Sequence, residues 1–177
     1  MGQLTFNYSQ DTQDRVGEVI TGIRVETPVL TNLTTYWTNP VTYSIFDVVG
    51  LIKVNAMYLE VTGLFDANAT TLVFRWTGTT PVQAIATMGI ASASLANSKV
   101  GTRVHFLGPS QVAAGPVAQI SYMPAPFLVG GKTGADVNCI GVISALVAGG
   151  TQAAAASGRY VLHYAAMTEG AYAVSAI

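Results

Sequence analysis

Only 10% of the residues in this chain are Asp, Glu, Lys or Arg, while half are apolar. An average soluble protein carries about 25% charged residues. A free monomer needs ionised side chains on its surface to stay in water. A chain with so few therefore either sits in lipid or has much of its surface covered by neighbours. Lipid is the poorer account, because no segment offers about 20 continuous apolar residues with suitable flanks. Val137 to Gly158 comes nearest, but Asn138, the Gly149-Gly150 pair and Gln152 interrupt it. A net charge of −1 also argues against a nucleic-acid coat, which depends on a basic field. The expectation is a chain that works among copies of itself or other proteins, with no membrane or nucleic acid as partner.

At 177 residues the chain fits one domain with a real core. Polarity divides it unevenly. Met1 to Glu26 holds six of the seventeen charged residues, Asp11, Asp14, Arg15, Glu18, Arg24 and Glu26. Its first fifteen residues lack a hydrophobic period and read as a polar N-terminal arm, leaving 16–177 as a single domain. Met1 to Gln10 has neither a basic n-region nor an apolar h-region, so no secretory signal is expected. Phe6 stands where a myristoylation motif needs Ser or Thr. The single cysteine, Cys139, rules out an internal disulfide framework. Sequons at Asn7, Asn32 and Asn68 are then chance matches in a Thr-rich chain.

From about Ile20 the pattern turns to strand-length pieces rich in Val, Ile, Thr, Tyr and Phe, punctuated by Gly, Pro, Asn and Asp. Ile23 to Glu26, Tyr43 to Val49, Leu72 to Trp76, Val100 to Phe106, Ala118 to Tyr122, Val137 to Ile143 and Arg159 to Ala166 all alternate as strands. In the last of these, Tyr160, Leu162 and Tyr164 share a face. Lys53 to Thr62 is odder: its polar residues fall on odd positions first (Lys53, Asn55) and on even ones later (Glu60, Thr62). Either a β-bulge lies near Met57 or the strand passes from one sheet to another. Helix is poorly supported, since Gly89 interrupts Ala84 to Ala96 and Gly149-Gly150 breaks Ala145 to Ala156. The fold class expected is all-β, a two-sheet β-sandwich of jelly-roll type.

A search for chemistry returns little. His105 and His163 are the only histidines, both on strands, and with Cys139 they show none of the short spacings of a zinc site. The nearest match to a nucleophile elbow, Gly108-Pro109-Ser110-Gln111-Val112, has Val112 in place of the second glycine. Gly131-Lys132-Thr133 ends like a phosphate-binding loop, but Pro126 replaces the required earlier glycine and the following segment reads as a strand. Asp47, Glu60 and Asp66 are expected to solvate the surface, with an ion pair to Lys53 or Arg75. No catalytic residue, metal ligand or cofactor is assigned. Among the aromatics, Tyr36 and Trp37 are flanked by Thr34, Thr35, Thr38 and Asn39, which points to an exposed loop pair able to anchor a partner.

With these residues laid out, the chain resembles capsid decoration, or cement, proteins of tailed bacteriophages. Phe46-Asp47-Val48-Val49-Gly50-Leu51-Ile52-Lys53-Val54, running on through Met57-Tyr58-Leu59-Glu60-Val61-Thr62, carries the likeness. So does Arg159-Tyr160-Val161-Leu162-His163-Tyr164, near an Ala-rich C-terminus. The resemblance spans about half the chain and is one of texture and segment order. It implies a sandwich or jelly roll, a homo-oligomer, commonly a trimer, and binding to the major capsid protein on the virion surface after synthesis in the host cytoplasm. It transfers no catalytic residue. Asp11, Asp14 and Arg15 of the arm, with Tyr36 and Trp37, are the candidate capsid or subunit contacts. The alternative is a tail or surface receptor-binding module that stacks carbohydrate on Tyr36 and Trp37.

Overall fold

The computed structural model describes residues 22–31, 33–89, 91–106, 127–131 and 138–177. The chain is an all-β sandwich of two antiparallel sheets. Its elements are β1 (Ile23–Glu26), a single helical turn α1 (Leu33–Tyr36), β2 (Val41–Val49), β3 (Leu51–Gly63), β4 (Thr70–Thr80), β5 (Ala86–Thr87), β6 (Arg103–His105), β7 (Phe127–Gly130), β8 (Ile140–Gly149), β9 (Ser157–Ala166) and β10 (Tyr172–Ser175). Sheet A runs β1-β9-β3, with β6 and β7 both lying against the far edge of β3. Sheet B runs β10-β2-β8-β4-β5.

The chain therefore steps from one sheet to the other almost every time it turns. Gly50 makes the sharpest of these corners, between β2 of sheet B and β3 of sheet A. Its φ of +75° suits glycine, and a Cβ there would fall 2.8 Å from the Ala171 methyl.

Alternation decides what each strand buries. Leu72 and Phe74 of β4, Ile143, Ala145 and Val147 of β8, and Phe46 and Val48 of β2 turn inward from sheet B. Ile52, Val54, Met57, Leu59 and Val61 of β3, with Tyr160, Leu162 and Tyr164 of β9, meet them from sheet A. The change of parity in β3 is a bulge: Val54 pairs with Tyr164 and Ala56 with His163, leaving Asn55 as the extra residue. It lies two positions before Met57, and the strand stays in sheet A on both sides of it.

Other expectations shift at their edges. The Val100 to Phe106 strand shortens to β6, and Ala84 to Ala96 holds the two-residue β5 and loop. The expected strand Ala118 to Tyr122, residue Val137, and the Ser110 and Lys132-Thr133 segments lie outside the described residues.

Two polar devices close the core. Tyr160 of β9 is fully buried, and its hydroxyl lies 2.7 Å from that of Tyr43 on β2. The Ala173 N–H of β10 donates to the Tyr164 hydroxyl of β9 at 3.0 Å. Both bonds bridge the two sheets. At one end of the sandwich Gln152, 1% exposed, donates to the Asn68 carbonyl and the Thr70 hydroxyl and accepts from the Asp66 N–H. Both of its side-chain N–H donors and its carbonyl oxygen serve loop closure.

Trp37 corrects the expectation of an exposed aromatic pair. It is fully buried, its indole N–H donates to the Leu30 carbonyl at 3.0 Å, and its ring meets Phe65 edge-on at 5.0 Å. Trp37→Ala should therefore act as a core truncation, costing about 3–5 kcal/mol in chemical denaturation. A loss under about 1 kcal/mol would show that the ring is not the plug described.

Candidate functional site: two outer faces of opposite character

A sandwich presents the outer face of each sheet to its surroundings, and the two differ here in charge. On sheet A the outward positions of four strands line up an ion-pair ladder. Arg103 of β6 bonds Glu60 of β3 at 3.3 Å, and Arg159 of β9 bonds the other Glu60 oxygen at 2.7 Å. Arg159 then reaches Glu26 of β1 at 3.5 Å, and Arg24 closes on Glu26 at 2.9 Å. Glu60 thus pairs with Arg103 and Arg159, correcting the expectation of Lys53 or Arg75. Burial works to raise its carboxyl, but the hydrogen bond and charge of Arg159, joined by Arg103, outweigh that and hold it below the usual range.

Beside the ladder, Tyr58 of β3 is 3% exposed although it points away from the core. Arg103 lies over its ring at 5.2 Å, and the imidazoles of His105 and His163 flank it at 5.1 and 6.1 Å. The fold thus gathers both histidines on one face. Cys139, by contrast, lies buried just before β8 of sheet B, so the three do not meet. Among the described residues no group of three His, Cys, Asp or Glu side chains is placed to hold a metal ion. Burial, reinforced by the Arg24 and Arg103 charges, pushes His163 down to about 4.

Sheet B's outer face is almost uncharged. From β10 to β4 its outward residues are Tyr172 and Val174, then Thr42, Ser44, Asp47 and Val49, then Ile140, Val142, Ser144, Leu146 and Ala148, and last Thr71, Val73, Arg75 and Thr77. Only Asp47 and Arg75 carry charge, and neither makes an ion pair among the described residues. A shallow groove of about 280 Å³ crosses the middle of this face, lined by Thr42, Ser44, Arg75, Thr77, Val142 and Ser144. Ile140, Tyr172 and Val174 at its upper corner are all more than two-fifths exposed.

The sequence-derived contact residues fare differently. Asp11, Asp14 and Arg15 lie outside the described residues. Tyr36 is half-buried, edge-on to Tyr43 at 5.0 Å and packed on the core. Trp37 has no face left for a sugar or a partner, and the carbohydrate reading loses its stacking residue. Asp47, Glu60 and Asp66 stand on sheet B's outer face, sheet A's outer face and a loop, so no carboxylate pair forms. The sheet B face escaped the sequence reading because its residues come from four strands whose order was unknown. Its signal was present in each strand as Ser, Thr and Val where a wet face usually carries Lys and Glu.

No protein-family model, curated protein or solved structure matches the chain.

His163 and Glu60 together set a pH dependence. Both titrate below their ordinary values when folded, so their stabilisation is complete above the unfolded values and is lost as pH falls through the folded ones. The thermal midpoint should stay level from pH 8 to about 7 and decline from about 6.5 toward 4. In His163→Asn that decline should be shallower by about one proton. Superimposable slopes for the two proteins would refute the assignment.

Proposed function

We propose that the chain is a non-enzymatic structural subunit acting in many copies, and that it serves as a cement or decoration protein on the outside of a tailed-phage capsid. The observation that carries this reading is the sheet B face. A lone copy would hold a four-strand surface with two charges against water, a surface of the kind that marks protein contacts. The strand order supports a jelly-roll winding, because β1-β9-β3-β6 facing β2-β8-β4-β5 is how two Greek keys interleave. Such windings occur in capsid and lectin domains alike, so the winding speaks to architecture and the face to role. The segments that resemble decoration proteins fall on β2, β3 and β9, in both sheets.

In this reading the sheet B face meets sister copies, and the polar stretch with Asp11, Asp14 and Arg15 meets the major capsid protein. The mechanism is mass action. A subunit that binds the assembled shell better than free shell protein favours the intact particle. Many copies let modest individual contacts suffice.

Added to purified phage shells that lack their decoration protein, the chain should occupy the surface and raise the temperature at which the shells fall apart. Deleting residues 1–14 should leave self-association intact and lower occupancy at least tenfold. Unchanged occupancy removes the arm from the contact, and no occupancy by the full chain removes the capsid role.

A further inference from the structure

We infer that the outer face of sheet B is a two-fold contact between copies of this chain, locked by reciprocal Asp47–Arg75 ion pairs. The inference rests on the multi-copy reading and names the partner of that face. Its basis is where the only two charges stand. Asp47 of β2 is level with Val142 of β8, while Arg75 of β4 is level with Ser144. β8 lies between the two charged strands, so the pair sits at opposite corners of a block centred on Val142 and Ser144. With neighbouring strands about 4.8 Å apart and about 3.3 Å per residue, their Cα atoms are roughly 12 Å from each other.

One acid and one base at opposite corners of an otherwise uncharged face make that face complementary to itself. Consider a second copy laid on it about a two-fold axis in the plane of the face, crossing over Val142 and Ser144 at right angles to the Asp47–Arg75 diagonal. Each Asp47 then meets the other copy's Arg75, and the pair forms twice. Ser44 and Thr77 occupy the other diagonal, close to the axis, and meet their own counterparts hydroxyl to hydroxyl. The shallow groove beside Arg75 gives the incoming carboxylate room, with the Ser44 and Ser144 hydroxyls as further donors.

Turned the other way, the charges make sense of their own solvation. On sheet A Glu26, Glu60, Arg24, Arg103 and Arg159 pair with one another, whereas Asp47 and Arg75, the two charges of sheet B's outer face, make no ion pair among the described residues. About this axis the strands of the two copies cross at about 70°, so faces about 19 Å wide overlap over roughly 400 Å² per copy. The total of about 800 Å² is that of a weak contact, which suits a chain that acts in many copies. The contact is two-fold, and so departs from the three-fold association that the likeness to decoration proteins implies.

Sedimentation equilibrium tests it. The mass of the full chain should rise toward twice its chain mass as concentration increases and go no higher. Asp47→Arg and Arg75→Asp should each weaken association about 100-fold, since each reversal acts at both pairs. An equimolar mixture of these two variants should re-form a dimer, because each misplaced charge then faces its opposite. Asp47→Asn, a milder change, should weaken association about tenfold if a reversal fails to fold. Thermal midpoints equal to that of the unaltered chain confirm that the variants remain folded.

Unaltered mass after reversal, or a mixture that stays monomeric, overturns the contact. A trimer insensitive to both reversals does the same. A monomeric full chain that still occupies phage shells overturns the two-fold contact and leaves the decoration reading standing. A charge-dependent dimer that ignores shells supports the contact and removes the capsid role.

Discussion

The sandwich depends on two sheets meeting through inner faces that are apolar except for a few tyrosine hydroxyls. A β-sheet has two faces whatever its sequence, and burial of one is the main source of stability. In this protein β9 sends Tyr160 and Tyr164 across the gap, where each hydroxyl finds a partner on the opposite sheet. An unpaired phenol there would cost about 1–3 kcal/mol, so the bonds also fix which rows of the two sheets stand opposite. Burial raises the titration of Tyr43 well above its ordinary value and that of Tyr160 likewise, which keeps both neutral and able to donate. This registration fixes both outer faces, because it determines which side chains are left over.

What is left over differs between the sheets. Sheet A's outer face links five of its charges in a ladder, with Lys53 outside it, and the ladder crosses four strands in contacts of 2.7 to 3.5 Å. Exposed ion pairs are each worth little, but a network around the largely shielded Glu60 holds the strands in register. Sheet B's outer face has no such network. Its hydroxyls bond backbone carbonyls in places, as Thr71 does to Ala148, and otherwise remain available. One face ties most of its charges to one another, and the other has almost none to tie.

Much of this was legible residue by residue. The strand at Ile23 to Glu26 stands where alternation placed it, and the parity change in Lys53 to Thr62 reported a real bulge. Tyr160, Leu162 and Tyr164 share the core face, as their spacing required. The failures share one cause, dependence on distant partners. Trp37 looked exposed because its sequence neighbours are Thr and Asn, but Leu30, Phe65 and the loop at Gln152 enclose it. The ladder joins Arg24 to Arg159, and no local window shows such neighbours. The inert sheet B face needed the order β10-β2-β8-β4 before its scattered Ser, Thr and Val residues became one surface.

The bulge at Asn55 has a consequence for how this gene can vary in length. In the β3–β9 register Asn55 is one residue more than the partner strand matches. Losing its codon would join Val54 directly to Ala56, which already pair with Tyr164 and His163, consecutive residues of β9. The ladder would become regular and both halves would keep their faces, Val54, Met57 and Leu59 inward and Tyr58 and Glu60 outward, whereas losing a paired residue such as Tyr58 would turn over the strand beyond it. Homologous chains should therefore accept changes of length in the loops around β3 and the loss of a residue at Asn55, but keep the count of the paired positions on either side fixed.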